Sequence, residues 1–319
     1  MFGQSSFISA AYVGTSGRNL LRFTTPNLGN NFVVDVCCAD LVGFQPFFQG
    51  RVVNPSINQN LSQRPIAGVG SINQFETTGR SLYDSLQIEL RGRLTQNFQY
   101  RANYVFGKVE DDVSDVFDLA GAFALPQNSL TFAGEYAPAN FDVRHRFTYS
   151  FIYELPEFEN RGNAFKFLFG SWQIAGTGKY NTGQPFTVNT IFDVNHDGNL
   201  TDRLNNTRFI TETGDRRNPL QLTCTGNQCQ SLLAPLGEDG SVPRNSFRAG
   251  SLLELDMSFI KRFVIREGQT LQFRTDIFNF INRANFGIPV RFLESPGFGR
   301  ATDTVTPGRR IQFALKYSF

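Results

Sequence analysis

No stretch of this 319-residue sequence approaches the roughly 20 consecutive apolar residues that a membrane-spanning helix requires, which excludes a helical membrane protein. Histidine is nearly missing. The only two, His145 and His196, leave little room for histidine-based catalysis, and neither has a serine partner in the pattern, which argues against a hydrolase. Basic runs of the kind that track phosphates are missing too. With 30 Lys and Arg against 28 Asp and Glu the net charge is only +2, so nucleic acid is set aside as a partner. No export leader is visible: MFGQSSFISAAYVG has no positively charged start, apolar core and small-residue cleavage site, and it begins inside a strand-like segment. The front of a longer protein is therefore expected to be missing. Cysteine is scarce. Cys37 and Cys38 are neighbours, and Cys224 and Cys229 bracket the polar turn TGNQ. Neither spacing is a zinc or redox signature, and the second pair fits either a local disulfide in an oxidising compartment or two free thiols.

Aromatic residues, by contrast, are abundant: Phe 34 and Tyr 9 bring them to 14% in a chain only 40% hydrophobic. A barrel strand produces that mixture, because only every second residue faces lipid. Alternation with period two recurs in about eight segments. In Arg309 to Phe319, Ile311, Phe313, Leu315, Tyr317 and Phe319 share one face. In Asn97 to Lys108, Phe98, Tyr100, Ala102, Tyr104 and Phe106 do so. Ser81 to Leu94 and Asp142 to Leu155 repeat the pattern, and Ser5 to Val13, Ser171 to Thr182, Ser251 to Phe263 and Gln269 to Ile281 complete the set.

A soluble sandwich also alternates, so the connections have to decide. Turns at Thr95 and Gln96 and around Arg266, Glu267 and Gly268 are tight, and Pro156 to Gly170 is a moderate link. Gly14 to Arg80, Val109 to Phe141, Gly183 to Gly250 and Asn282 to Gly308 are long and polar. Long and short links alternate along the chain, as in outer-membrane barrels with short periplasmic turns and longer extracellular loops. The expected fold is all-β: an antiparallel transmembrane β-barrel, partial, of about eight strands. Tyr100, Tyr104, Tyr149, Tyr153, Tyr180 and Tyr317 would form interfacial girdles, and Arg144, Arg146, Arg274 and Asp276 would face the lumen and pair there.

The phrases AAYVGTSGRNLLR, YDSLQIELRGRL, NYVFGKVEDD, FDVRHRFTYSFIYELP, GSWQIAGTGKYNTGQPF, LQFRTDIFNFINRANFG and RRIQFALKYSF, in this order, resemble the C-terminal barrel portion of TonB-dependent outer-membrane receptors, particularly the Oar-like group. They run from Ala10 to Phe319. The resemblance implies residence in the bacterial outer membrane, contact with its lipid, and import of a small ligand. It also implies an N-terminal plug and earlier strands outside this segment, through which the parent meets the TonB complex. The terminal Phe319 resembles the signal read by the barrel-assembly machinery. A family barrel has about 22 strands, so this segment alone is expected to be a scaffold with ligand loops and not transport-competent. No enzyme activity is expected.

One loop has the look of a cation site. Asp193, Asn195, Asp197, Asn199 and Asp202, with Gly198 at the turn, match the first half of a calcium loop, in which oxygen ligands alternate. Leu204 stands where an EF-hand places its bidentate Glu, and Asp202 is the substitute. An Asx and Gly turn cluster that needs no ion is the other reading. His196 lies inside this loop, while His145 is read as an interfacial or packing residue. Asp111, Asp112 and Asp115 read as a solvated acidic loop. The competing function for the whole chain is an extracellular, calcium-dependent β-sandwich module for binding or adhesion.

Overall fold

The computed structural model describes residues 5–27, 33–34, 52–53, 65–69, 72–116, 124–132, 134–158, 160, 162–195, 197, 199, 201–235 and 237–319. Eight long strands follow the chain in order: β1 (Ser5–Thr24), β2 (Gln74–Thr95), β3 (Phe98–Asp111), β4 (His145–Glu154), β5 (Trp172–Asn181), β6 (Leu252–Arg266), β7 (Gln269–Phe278) and β8 (Arg310–Ser318). Each pairs antiparallel with its sequence neighbour in one sheet, and the two-residue strand Ala137–Pro138 pairs alongside the end of β3. Each of the eight expected segments is a strand. β1 and β2 run further than the alternation does. Their extensions carry register shifts between Gly17, Leu20 and Arg22, and Asn19 sits at φ 56, so the bulges scramble the periodicity.

Register sorts the side chains. Residues paired directly across an antiparallel ladder share a face. Ile8 pairs with Leu90, which pairs with Ala102, which pairs with Tyr149, which pairs with Gly178, which pairs with Leu255. Farther along, Phe259 pairs with Thr275 and Thr275 with Phe313. That face is aliphatic and aromatic. Asp84, Lys108 and Glu110 enter it only toward the long-link end, and Lys261 only toward the other. The opposite face carries Gln87, Glu89, Arg91, Arg101, Asn103, Thr148, Ser150, Thr177, Lys179, Arg274, Asp276 and Gln312, interrupted by a few apolar groups such as Phe7 and Ile152.

Among the described residues no second sheet covers the apolar face. Ile8, Tyr12, Leu86, Phe147, Phe313 and Leu315 all stand exposed on it. A β-sandwich would bury these side chains between layers, so the sandwich alternative fails on packing. Among the described residues β1 and β8 do not pair with each other, and the sheet stays open with two free edges. Tyr153 and Tyr317 lie at the short-link end and Tyr180 at the other, where a girdle belongs, whereas Tyr104 and Tyr149 fall in mid-strand.

The buried apolar cluster of the described residues lies outside the sheet. Phe186, Val188, Leu204, Leu220, Leu232 and Leu293 are nearly or fully inaccessible and pack with Phe247 and the Cys224–Cys229 disulfide. All belong to the segments 182–251 and 279–309, so the long links fold into a cap with its own core. Gly299 shows how tight it is: at φ 76 it lies so close to the Leu220 carbonyl that any side chain would collide. Cys37 and Cys38 lie outside the described residues.

Two residues of the acidic run, Asp111 and Asp112, are not solvated. Asp111 is buried against Arg244, and Asp112 meets Arg22 at 2.9 Å and Arg80 at 3.5 Å. The charges are consumed in clamping links to strand ends, which composition alone does not reveal. Asp115 is exposed, as expected.

Candidate functional site

The acidic loop folds back on itself inside the cap. Asp193 and Asp202 are almost wholly buried, and so is Asn199. The Val194 and Asn195 amides donate to the two oxygens of Asp202 at 3.2 and 3.3 Å. The Asp197 amide donates to Asp193 at 3.1 Å and to the Asn195 side chain at 3.0 Å, and the Asn199 amide donates to Asp197 at 2.8 Å. These are Asx-turn bonds. Asn199 also accepts from the Thr25 hydroxyl at 2.9 Å, which ties the loop to the end of β1.

Three carboxylates in one desolvated turn repel one another. Burial, then the charge of Asp193, then that of Asp197, push Asp202 up to about 8. Burial is also the first cause at Asp197, which rises to about 7 with the charge of Asp193 adding to it. The structure thus brings Asp193, Asp197 and Asp202 together. Asn195 turns aside, its side-chain amide donating to the Gln127 carbonyl at 3.1 Å and to Asp239 at 2.8 Å. Leu204 is core, and His196 and Gly198 lie outside the described residues. Among the described residues no group of three or more His, Cys, Asp or Glu side chains is set to hold a metal ion.

Beside this loop is a cavity of about 220 Å³ that joins the cap to the strand ends. Its lining includes Arg22, Arg203, Arg244, Arg291, Asp112 and Glu135. Arg203 meets Glu135 at 2.6 Å with both side chains 4% exposed. Arg244 donates to the Glu135 carbonyl at 3.1 Å, to Ser114 at 3.1 Å and to Asp111. Arg22 is 3% exposed, yet its Nε has no hydrogen-bond partner among the described residues. A buried guanidinium with a spare donor fits an acceptor group entering the cavity. Sequence reasoning missed this site because its residues come from β1 and three separate long links and none forms a motif.

On the sheet, Arg274 and Asp276 pair at 2.9 Å on the polar face, which Arg146 shares. Arg144 precedes β4 and approaches Asp142 at 3.9 Å. His145 Nδ1 lies 2.8 Å from the Tyr104 hydroxyl and its ring packs on Phe106 at 5.1 Å, a packing role on the apolar face.

No curated protein matches the chain. Among solved structures the outer membrane transporter YddB from Escherichia coli is similar at 8% identity and a TM-score of 0.43, over 100% of this chain and 31% of that one. The chain therefore spans less than a third of that transporter's length. Residues 1–312 match the family described as outer membrane beta barrel domain. A single antiparallel sheet with one bare apolar face and one charged face is what such a family requires in lipid, and the chain belongs to it and resides in the bacterial outer membrane.

Proposed function

We propose that this chain is a barrel segment of a TonB-dependent receptor of the Oar-like group, working in import of a ligand across the outer membrane and not as an enzyme. The observation that carries this reading is the open sheet. Backbone groups on a strand edge in hydrocarbon each cost several kcal/mol when unpaired, and β1 and β8 both leave an edge free among the described residues. Further strands on either side satisfy those edges, and a wider barrel has a polar lumen where an eight-stranded one would be filled by side chains. The segment by itself is therefore not transport-competent.

The arginine-lined cavity is where the cap would meet a ligand carrying acceptor groups. Phe319 is 94% exposed at the end of β8, free to be read by the barrel-assembly machinery. The parent protein should fractionate with the outer membrane, show heat-modifiable mobility, and take up its ligand only while the TonB complex is energised. Uptake that persists without that complex overturns the TonB assignment, and recovery of the chain as a soluble monomer without detergent overturns the barrel.

A further inference from the structure

The link between β4 and β5 carries more apolar surface than its protein neighbours cover. Asn163–Phe169 forms a seven-residue helix, α1, on which Phe165, Phe167, Leu168 and Phe169 are all exposed. A helix this short is not stable alone in water, and a contiguous exposed apolar patch marks a contact surface.

Its surroundings identify the contact. The ring of Phe167 lies 5.3 Å from that of Phe263, which belongs to the apolar face of the sheet. Trp172, the first residue of β5 and on the same face, donates its indole N–H to the Leu168 carbonyl at 2.8 Å. Lys261 pairs in register with Trp172, is buried, and donates to the carbonyl of Gly170, the residue that ends the helix. Its ammonium lies 5.6 Å from the Trp172 ring centroid and 5.4 Å from that of Phe263. Lys261, on this part of the apolar face, is thereby satisfied by a carbonyl and two aromatic faces. Phe165 in turn packs on Phe169 at 4.8 Å and on Phe158 at 5.4 Å. The apolar surface of α1 is thus continuous with the lipid-facing surface of the sheet, at its short-link edge.

We infer that α1 is an interfacial anchor lying in the periplasmic leaflet of the outer membrane. Phe165, Phe167, Leu168 and Phe169 enter the boundary between headgroups and acyl chains, to a depth of roughly 5–10 Å. Trp172 takes its place in the aromatic belt. Lys166, the charged residue of the helix, meets the lipid phosphates. The link is short compared with those at the other end because its helix is supported by lipid and needs no protein cap.

The chain has a single Trp, so an indole can be moved onto the helix without background. In the full chain carrying Trp172→Phe and Phe167→Trp, inserted into phosphatidylcholine vesicles, the indole at position 167 should emit to the blue of free indole. Bromine near the headgroup end of the acyl chains should quench it more strongly than bromine near the methyl end, and aqueous iodide should barely quench it. Strong iodide quenching in protein that floats with the vesicles overturns the anchor. So does protection from iodide without bromolipid quenching, which marks a protein partner or a second copy as the occupant. The unmodified chain, read through Trp172, serves as the control for insertion. If it does not float, the membrane assignment of the sheet falls, and the anchor with it.

Discussion

Tyr149 of β4 and Gly178 of β5 are direct partners in the ladder, and the phenol ring lies over the glycine so closely that a Cβ there would collide with it. Phe151 covers Gly176 in the same way two positions on. The two glycines open a slot in which large rings lie flat on the lipid side and shield a stretch of backbone that has no side chains of its own.

Gly178→Val should therefore destabilise the barrel by about 1–3 kcal/mol, the range for overpacking a filled site. The readout is the fraction of heat-modifiable, folded protein recovered in detergent. Tyr149→Ala in the same chain should restore part of it, and a Gly178→Val protein that folds as well as the parent would show the slot to be unimportant.

Glu135→Gln removes the carboxylate that faces the buried Arg203 guanidinium. Removing one member of a buried pair typically costs about 3–5 kcal/mol, and both side chains are 4% exposed here. The cap should loosen while the sheet persists. Tryptic cleavage within 182–251 on intact membranes should rise sharply, with heat-modifiable mobility unchanged.

The acidic loop gives the cap a pH dependence whose sign follows from its protons. Asp202 rises from 3.8 to about 8 and Asp197 to about 7 in the folded loop. Buried Glu294 also rises to about 7, through desolvation. Between the unfolded and folded values the native cap holds protons that the unfolded chain releases, so this stability is complete below about pH 4 and is lost as pH climbs through 7 and 8. Hydrogen exchange at the Val194 and Asn195 amides should speed up over that window, and Asp202→Asn should flatten the slope. Calcium separates the two readings of the loop, since a bound cation displaces the protons and erases the slope. With the carboxylates already engaged by backbone amides, the slope should survive calcium.

Cys229→Ser opens a ring of only a few residues. For so short a loop the chain-entropy relation gives about 2 kcal/mol. Both cysteines are buried in the cap cluster, so the loss should appear as faster proteolysis of the cap and leave the sheet untouched.

The strands were legible because a half-lipid, half-water environment writes itself into every second residue, as Ile311 to Phe319 shows. Where bulges interrupt the count, between Gly17 and Arg22, the reading stopped too early, and Arg22 went unnoticed as a cavity residue. The cap was not legible at all. Phe186, Leu204, Leu232 and Leu293 have no period because no helix or long strand holds them, and polar composition hid a real core. The acidic loop was half legible: the turn chemistry of Asp193, Asn195 and Asp197 was there to read, but the burial that raises the protonation of Asp197 and Asp202 was not.

Leu204 precedes the β6–β7 hairpin in the chain and Leu293 follows it, yet both lie in one apolar cluster beyond the sheet. The second segment reaches the cluster only by way of the full length of β6 and β7. Pulling the hairpin back would then return that cluster to water. The cap core therefore ties together the two links that flank the hairpin, so drawing the hairpin out of the sheet forfeits the burial of that cluster as well as its own ladder.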